Sequence, residues 1–285
     1  MKINRISPDE HNFLQSIGSI AKKPKALYYT GTLPESRRHT VAIVGTRKPT
    51  AYGREVTAML ASELAKKGIV IISGLALGVD AIAHTAALDA GGTTIAVLAN
   101  GLPDIQPSTN RQLAERILAN NGAILTEYDE GTPALSHQFL ARNRIVSGLS
   151  DAVIITEAAA RSGTLNTAAH AIEQGRELFV VPGNITSAMS LGCNSLIKQG
   201  ATPVTSVDDI LEVIAPELLS GQATLFVTNN PLERKVLELL RGGLRSGDDV
   251  QQQIGCSATD LSTALTMLEL GGAIRALGAN QWTLR

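Results

Sequence analysis

The sequence predicts an α/β protein with a doubly wound parallel sheet and a small winged-helix domain at its C-terminal end. Six short apolar runs recur between residues 41 and 183, and their starts lie 25 to 29 residues apart. Each run is continuous rather than alternating, which is typical of parallel strands that helices cover on both faces. Beyond residue 228 the pattern changes to three short helical segments and a hairpin, the order of elements in a winged helix.

The first element, residues 1–39, predicts a basic lead-in that packs on the core. It contains seven Lys or Arg residues and three Asp or Glu residues. Pro24, Gly31 and Pro34 divide it into short pieces, which favours a small helical turn and a docked extended stretch. We do not expect this segment to form a domain by itself.

The sheet domain is predicted over residues 40–215. Its strands are the apolar runs at 41–45, 69–73, 94–98, 123–127, 152–156 and 178–183. Helical patterns occupy the intervals, at 52–67, 79–90, 109–120, 136–148, 164–175 and 192–199. Gly68, Gly91, Gly122 and Gly175 are suited to end several of these helices as left-handed caps. A seventh short strand is expected at 202–204 and a closing helix at 207–214.

A linker is predicted over residues 216–228, where Pro216, Ser220 and Gly221 interrupt the apolar pattern. The winged-helix domain is predicted over 229–285. Ser246 and Ser257 are suited to begin its second and third helices as N-caps. A hairpin is expected around residues 278–280.

Composition excludes several classes of protein. The chain has 25 Lys and Arg against 26 Asp and Glu, a net charge of −1, so bulk charge cannot coat nucleic acid or anionic lipid. No apolar run approaches the roughly 18 residues of a membrane span, and the N-terminus lacks the apolar core of a signal peptide. The isolated Cys193 and Cys256 support neither disulfides nor a thiolate metal site. We expect a cytoplasmic protein without a metal or cofactor, whose site for anions is local.

Three loops after predicted strands carry residues that can surround a phosphate. Gly45-Thr46-Arg47 follows the first strand, Ser73-Gly74 follows the second, and Ser162-Gly163-Thr164 follows the fifth. The carboxyl ends of parallel strands meet at one edge of a sheet, where backbone amides can close around an anion. Glycine after a strand serves turn geometry equally well. Neither a dinucleotide fingerprint nor a P-loop pattern is present, which disfavours NAD enzymes and P-loop ATPases.

A second candidate region is FLARNR at 139–144, on the predicted helix before the fifth strand. Arg142 and Arg144 can fork onto phosphate oxygens, with Asn143 between them, and Phe139 can stack an unpaired base. In the alternative, Phe139 belongs to the core and both arginines pair with acidic neighbours. Only nine of 285 residues are aromatic, so few rings are available for stacking and contacts to the DNA backbone would dominate.

Patterns for hydrolysis are weak. Asp80 and His84 share a helix face, but a structural hydrogen bond explains this pair better than a metal site does. Glu127, Asp129 and Glu130 have no His nearby in sequence and fit a solvated loop. No G-x-S-x-G elbow is present, which disfavours a serine hydrolase.

The chain closely resembles the DNA-processing protein A family, also called DprA/Smf, over roughly residues 20–212. The matching segments, in chain order, are VAIVGTR, SGLALGVDAIAH, TIAVLANGL, QFLARNRIVSGLS, EAAARSGTLNTA, VVPGNI and GCNSLIKQGA. The resemblance implies an extended Rossmann-like domain that binds single-stranded DNA, forms homodimers and helps load the RecA recombinase in natural transformation and recombination. It implies a DNA-binding protein of competent cells rather than an enzyme, and the C-terminal segment resembles the winged helix of many members.

The resemblance implies DNA contacts from Arg47, Phe139, Arg142 and Arg144, in a pocket shaped by glycine and hydroxyl residues. The full predicted nucleic-acid-binding set is Gly45, Thr46, Arg47, Ser73, Gly74, Phe139, Arg142, Asn143, Arg144, Ser162, Gly163 and Thr164. The sheet domain has 12 basic and 16 acidic residues, so we expect modest, salt-sensitive binding in a focused groove. The third winged-helix segment, 257–270, has no Lys or Arg, which favours protein contact over DNA contact for that module.

The alternative function is a nucleotide-processing enzyme, because this family is distantly similar to the LOG-type phosphoribohydrolases. Those enzymes carry a PGGxGTxxE pattern, whereas this chain has Ser162-Gly163-Thr164-Leu165-Asn166-Thr167. An amide and a hydroxyl therefore stand where carboxylates would assist departure of the base. A third possibility is a scaffold whose glycine loops serve folding only, which predicts no nucleic-acid binding.

Overall fold

The structure is a computed structural model that describes residues 2–219, 230–271, 273–278 and 280–284. Contacts divide the chain into two compact units, Met1–Leu218 and Leu219–Arg285. The predicted fold class is confirmed, with a mostly parallel sheet in the first unit and a winged helix in the second. No helix in the described ranges has both the length and the apolar character needed to span a membrane.

The first unit is built on one nine-stranded sheet. Its strands are β1 (Asn4–Ile6), β2 (Leu27–Gly31), β3 (Thr40–Val44), β4 (Val70–Ser73), β5 (Thr94–Val97), β6 (Ala123–Thr126), β7 (Ala152–Ile155), β8 (Glu177–Val180) and β9 (Thr202–Pro203). They lie in the order β1-β2-β6-β5-β4-β3-β7-β8-β9. The strands from β3 to β9 pair in parallel, and β1 and β2 are antiparallel additions beside β6. The central strands are buried throughout because helices cover both faces.

Six helices lie between these strands in the chain, and a seventh follows β9. They are α1 (Ala51–Lys66), α2 (Val79–Asp89), α3 (Arg111–Ala119), α4 (Ser136–Leu149), α5 (Thr164–Glu173), α6 (Leu191–Lys198) and α7 (Val207–Ile214). Gly68, Gly91 and Gly175 adopt positive φ just beyond α1, α2 and α5, as the helix-end pattern predicts. Gly122 is not in this class, because the positive φ after α3 belongs to Asn121.

The lead-in contributes two antiparallel strands to the sheet. Tyr28 of β2 pairs with Thr126 of β6, so the sheet begins well before residue 40. The 3-10 turns of this segment, Pro8–Glu10 and Asn12–Ile17, place Phe13 and Leu14 in the main core with no exposed surface. Burial of these side chains, worth roughly 1.5–3 kcal/mol for each residue, attaches the segment to the first unit.

The second unit consists of α8 (Pro231–Arg241), α9 (Gly247–Ile254), α10 (Ala258–Leu270) and the hairpin of β10 (Ile274–Gly278) and β11 (Gln281–Leu284). Ser246 and Ser257 cap α9 and α10, each accepting a hydrogen bond from a backbone N–H three residues ahead. Of the predicted linker, Pro216–Leu218 forms a 3-10 turn in the first unit, and residues 220–228 lie outside the described residues. The domain boundaries at 40, 215 and 229 stay predictions.

Candidate nucleic-acid interface

The candidate site lies where the order of the parallel strands reverses. The chain runs from β3 outward through β4, β5 and β6, and then returns to place β7 on the other side of β3. In open α/β sheets, ligands bind at this switch point, beyond the carboxyl ends of the two central strands. A cleft of about 650 Å³ lies there, between the loops that follow β3 and β7 and the first half of α4.

The loop after β3 is held close to its neighbours. The Thr46 N–H donates to the Glu157 carbonyl at 2.8 Å, and the Thr46 carbonyl accepts from the Val79 N–H at 3.1 Å. A Cβ added to Gly45 would lie 2.6 Å from the Val79 side chain, so only glycine permits this close approach. These contacts fix the backbone that presents Arg47 to the cleft.

Arg47 and Phe139 meet in the cleft. The Arg47 guanidinium lies 5.4 Å from the centroid of the Phe139 ring, within the range of a cation–π interaction. Phe139 is half-buried on α4, and of the described aromatic residues it is the one that lines this cleft. The pair combines a cation for a phosphate with a ring on which a base can stack.

The loop after β7 supplies donors at the start of α5. The Ser162 hydroxyl donates to the Thr164 hydroxyl at 2.9 Å and accepts from the Thr164 N–H at 3.2 Å. The backbone N–H groups of Ser162 and Gly163 donate to no acceptor within the described part of the chain. The positive end of the α5 dipole adds to these amides, so the loop can accept an anionic group.

Three exposed cations line the cleft: Arg47, Lys48 and Arg161. None of the three forms an ion pair with another described residue. Lys48 and Arg161 are absent from the sequence-predicted set. Their positions were a usable signal, because each is a basic residue in a loop that the sheet pattern already assigned to the carboxyl edge.

Arg142 is not the exposed phosphate ligand that the sequence predicted. It is 4% exposed and lies in the floor of the cleft, where its Nη1 donates to the Gly74 carbonyl at 2.7 Å and also to the Val97 carbonyl. Burial lowers the pKa of the Arg142 guanidinium, and the Asp80 carboxylate opposes this shift. Arg142 therefore supports the cleft from beneath.

Arg144 lies outside the cleft, contrary to prediction. Its guanidinium makes two 2.6 Å hydrogen bonds to the Glu127 carboxylate, and its Nε donates to the Lys22 carbonyl at 2.8 Å. Residues two apart on a helix point in nearly opposite directions, because the helix has 3.6 residues per turn. Arg142 and Arg144 thus cannot form one phosphate track on α4. Glu127 is correspondingly a partly buried partner rather than part of a solvated loop.

Ser73 and Gly74 also lie outside the lining of the cleft. Ser73 is fully buried because it ends β4 inside the sheet, and its hydroxyl donates to the Ile43 carbonyl at 2.7 Å. Gly74 is buried under Arg142, and an added Cβ would lie 2.4 Å from the Arg142 Nη2. The cleft does bring together the other nine predicted residues, namely Gly45, Thr46, Arg47, Phe139, Arg142, Asn143, Ser162, Gly163 and Thr164.

The structural explanation of the Asp80–His84 pair agrees with the geometry. Asp80 Oδ2 accepts the Gly74 N–H at 3.0 Å, and His84 Nδ1 lies 2.6 Å from the Thr94 hydroxyl. Burial, with a smaller effect from Arg142, lowers the pKa of His84 to about 3, so its imidazole is neutral at pH 7. Among the described residues, no group of three or more His, Cys, Asp or Glu side chains could hold a metal ion.

Comparisons with known proteins identify relatives of both units. The sequence model of the DNA recombination-mediator protein A family matches residues 4–215, and that of the DprA winged helix domain matches residues 223–280. DNA processing protein DprA of Bacillus subtilis is 41% identical over 211 residues, which are 74% of this chain and 71% of that protein. Protein Smf of Escherichia coli is 46% identical over 189 residues, 66% of this chain and 50% of that protein.

The chain spans less than two thirds of some relatives. A putative DprA of Mycobacterium tuberculosis is 40% identical over 247 residues, which are 84% of this chain and 63% of that protein. Among solved structures, DprA of Streptococcus pneumoniae matches with a TM-score of 0.70 and 37% identity, over 75% of each chain. DprA of Helicobacter pylori, described for its binding mode toward single-stranded DNA, matches with a TM-score of 0.66 and 34% identity, over 76% of this chain and 97% of that one.

Proposed function

Because the chain belongs to the DNA recombination-mediator protein A family, we propose that it binds single-stranded DNA in the cleft between the β3 and β7 loops. The observation that carries this proposal is the concentration of exposed cations at the switch point of a nearly neutral molecule. Arg47, Lys48 and Arg161 form no ion pair in the described ranges, and free amides and one aromatic ring lie beside them. A phosphate supplies the missing counter-charge, and an unpaired base can stack on Phe139.

The binding mode follows from the two kinds of group in the cleft, which are donors for phosphates and one aromatic ring for a base. The amides of Ser162 and Gly163 and the cations of the rim hold successive phosphates, while Phe139 contacts a base without reading its hydrogen-bonding edge. A duplex keeps its bases stacked inside and cannot offer one to Phe139. The site therefore favours single strands over duplex, with little dependence on base sequence.

In the cell, this binding would protect incoming single-stranded DNA and help load the RecA recombinase during natural transformation and recombination. That role is proposed from family membership, together with a homodimeric state and a cytoplasmic location. It includes no covalent step, so the protein acts by binding and not as an enzyme.

A nucleotide-processing enzyme remains the alternative for a cleft of this kind, and the carboxylates of the site favour binding over catalysis. Asp80 is the one carboxylate that lines the cleft among the described residues. It is 6% exposed and accepts backbone amides of its own loop. Asn166 and Thr167 stand near the position where the related hydrolases carry an acid.

Fluorescence anisotropy with labelled oligothymidine and a duplex of equal length tests the proposal. We expect the single strand to bind more tightly, and Arg47→Ala to weaken its binding about tenfold, the value of one charge-assisted contact. Arg116→Ala is the matched control, because Arg116 is an exposed arginine of α3 that pairs with Asp89 away from the cleft. Equal affinity for duplex, or an Arg47→Ala variant that binds like the parent protein, would contradict the proposal. Release of adenine from AMP at a sustained rate would favour the enzyme instead.

A further inference from the structure

Arg142 is connected to Arg47 through a closed circuit of contacts. Arg142 and Phe139 lie one turn apart on α4, and the Arg142 side chain reaches down to the carbonyl of Gly74 in the loop after β4. That loop ends at Gly78, which packs against the backbone of Thr46 and Arg47. The Arg47 side chain then returns to the Phe139 ring at 5.4 Å. Each member of the circuit contacts the next one.

In the loop after β4, the carbonyl and the N–H of Gly74 are both bound by buried side chains. The Arg142 Nη1 donates to the Gly74 carbonyl at 2.7 Å. Asp80 Oδ2 accepts from the Gly74 N–H at 3.0 Å and from the Ala76 N–H at 3.4 Å. Arg142 and Asp80 are 4% and 6% exposed. These two buried, oppositely charged side chains fix the backbone at Gly74, because a shift of the loop would leave a buried charge without its hydrogen-bond partners.

The other end of this loop, at Gly78, packs against the backbone of Thr46 and Arg47 at the rim of the cleft. Gly78 has φ +79°, and an added Cβ would lie 2.5 Å from the Thr46 carbonyl and 2.6 Å from the Arg47 carbonyl carbon. The Val79 N–H donates to the same Thr46 carbonyl at 3.1 Å. The loop after β4 therefore packs directly against the loop that carries Arg47 and is hydrogen-bonded to it.

On the basis of the proposed function, we infer that Arg142 is a positioning residue, which aligns Arg47 with Phe139 through Gly74 and Gly78 and does not itself contact DNA phosphate. Arg142 is 4% exposed, its Nη1 donates to two carbonyls, and its Nε is buried without an acceptor among the described residues, so the guanidinium offers little surface to a phosphate. The role differs from that of a phosphate ligand, because it acts entirely through Arg47. Loss of Arg142 then removes the contribution of Arg47 to DNA affinity and causes no additional loss of affinity.

A double-mutant cycle on oligothymidine binding tests this inference. We expect Arg142→Lys, which keeps the charge but lacks the planar fork, to weaken binding about tenfold in the parent protein. The same change should weaken binding less than twofold in an Arg47→Ala background. The negative slope of log K against log salt concentration should become shallower by about 0.7, which corresponds to one phosphate contact, in each single variant and in the double variant. Gly74→Ala repeats the measurement from the other side of the contact if Arg142→Lys does not fold.

Arg144→Lys is the matched control, since Arg144 lies on the same helix and is also bound by hydrogen bonds but contacts no member of the circuit. It should leave both the affinity and the salt slope unchanged. Equal losses from Arg142→Lys in both backgrounds, or a salt slope that is shallower by about 1.4 in the double variant, would overturn the inference and indicate direct phosphate contact or general destabilisation. If Arg47→Ala alone has no effect, the proposed binding cleft fails, which is a different outcome.

Discussion

At the rim of the cleft, Arg47, Lys48 and Arg161 are exposed and have no ionic partner among the described residues, whereas the layer beneath holds Asp80, His84 and Arg142 almost without exposure. Charges at the rim stay solvated, so the folded state gains little from them and they remain available to a ligand. The polar groups of the lower layer are desolvated, so losing one of their hydrogen bonds destabilises the folded state. Similar residue types thus serve structure in the lower layer and, in the proposed function, binding at the rim, and substitutions can separate the two.

The largest effect is expected for Asp80→Ala in the lower layer. This change removes the acceptor of the Gly74 and Ala76 amides and the carboxylate that offsets Arg142, so we expect a loss of about 3–5 kcal/mol in the free energy of unfolding. Urea denaturation measures it. Asp89→Ala, which breaks the exposed pair with Arg116, should lose less than about 1 kcal/mol. Similar losses in the two variants would remove the distinction between buried and exposed charges.

A pH effect should follow from His84 in the same layer. The pKa of His84 is about 3 in the folded state, below its ordinary value of 6.5, so the unfolded chain binds a proton that the folded chain does not. The free energy of unfolding therefore falls as the pH drops below about 6.5, by about 2–3 kcal/mol at pH 4.5. His84→Gln, which cannot titrate, should lack this part of the pH dependence in urea denaturation. A variant with the same pH dependence as the parent protein would be the contrary result.

At the rim, Phe139→Leu should weaken binding of oligothymidine about tenfold, the value of one stacked base. The leucine keeps an apolar side chain at a half-buried position, so the melting temperature should change little. Anisotropy and thermal denaturation measure the two effects. Phe139→Trp should keep the affinity because it keeps an aromatic face. Equal affinity for the leucine and tryptophan variants would exclude stacking.

The smallest effect is expected in the winged helix. α10 carries no Lys or Arg, and Arg275 is an exposed cation of the neighbouring β10. Arg275→Ala should change the affinity for oligothymidine less than twofold, because we place the DNA contacts in the sheet unit. A tenfold loss by anisotropy would assign the winged helix to DNA and not to a protein partner.

The sequence predicted a doubly wound parallel sheet, because continuous apolar runs at regular spacing indicate strands that are buried on both faces. It also predicted that the site lies at the carboxyl ends of these strands. It did not predict that β2 joins β6, since a five-residue edge strand has no distinctive periodicity. The loop motifs predicted Arg47 at the end of β3, and the structure has Arg47 in the lining of the cleft, while its contact with DNA stays a prediction. Arg144 lies outside the cleft, away from Arg142, because two-residue spacing on a helix places side chains on nearly opposite faces.

The burial of Arg142 could not be predicted from the chain alone. It depends on the absence of a side chain at Gly74, 68 residues away in sequence, and on the carbonyls of Gly74 after β4 and of Val97 at the end of β5. Such partners become neighbours only through the sheet topology.

The central claim, that rim cations rather than the arginines of α4 neutralise the DNA, is tested most directly by the salt dependence of binding. The slope of log K against log salt concentration is negative, and the triple variant Arg47→Ala, Lys48→Ala, Arg161→Ala should make it shallower by about 2, at roughly 0.7 per phosphate contact on a single strand. Arg144→Lys should leave the slope as it is in the parent protein. An unchanged slope in the triple variant, or a reduced slope in Arg144→Lys, would contradict the account.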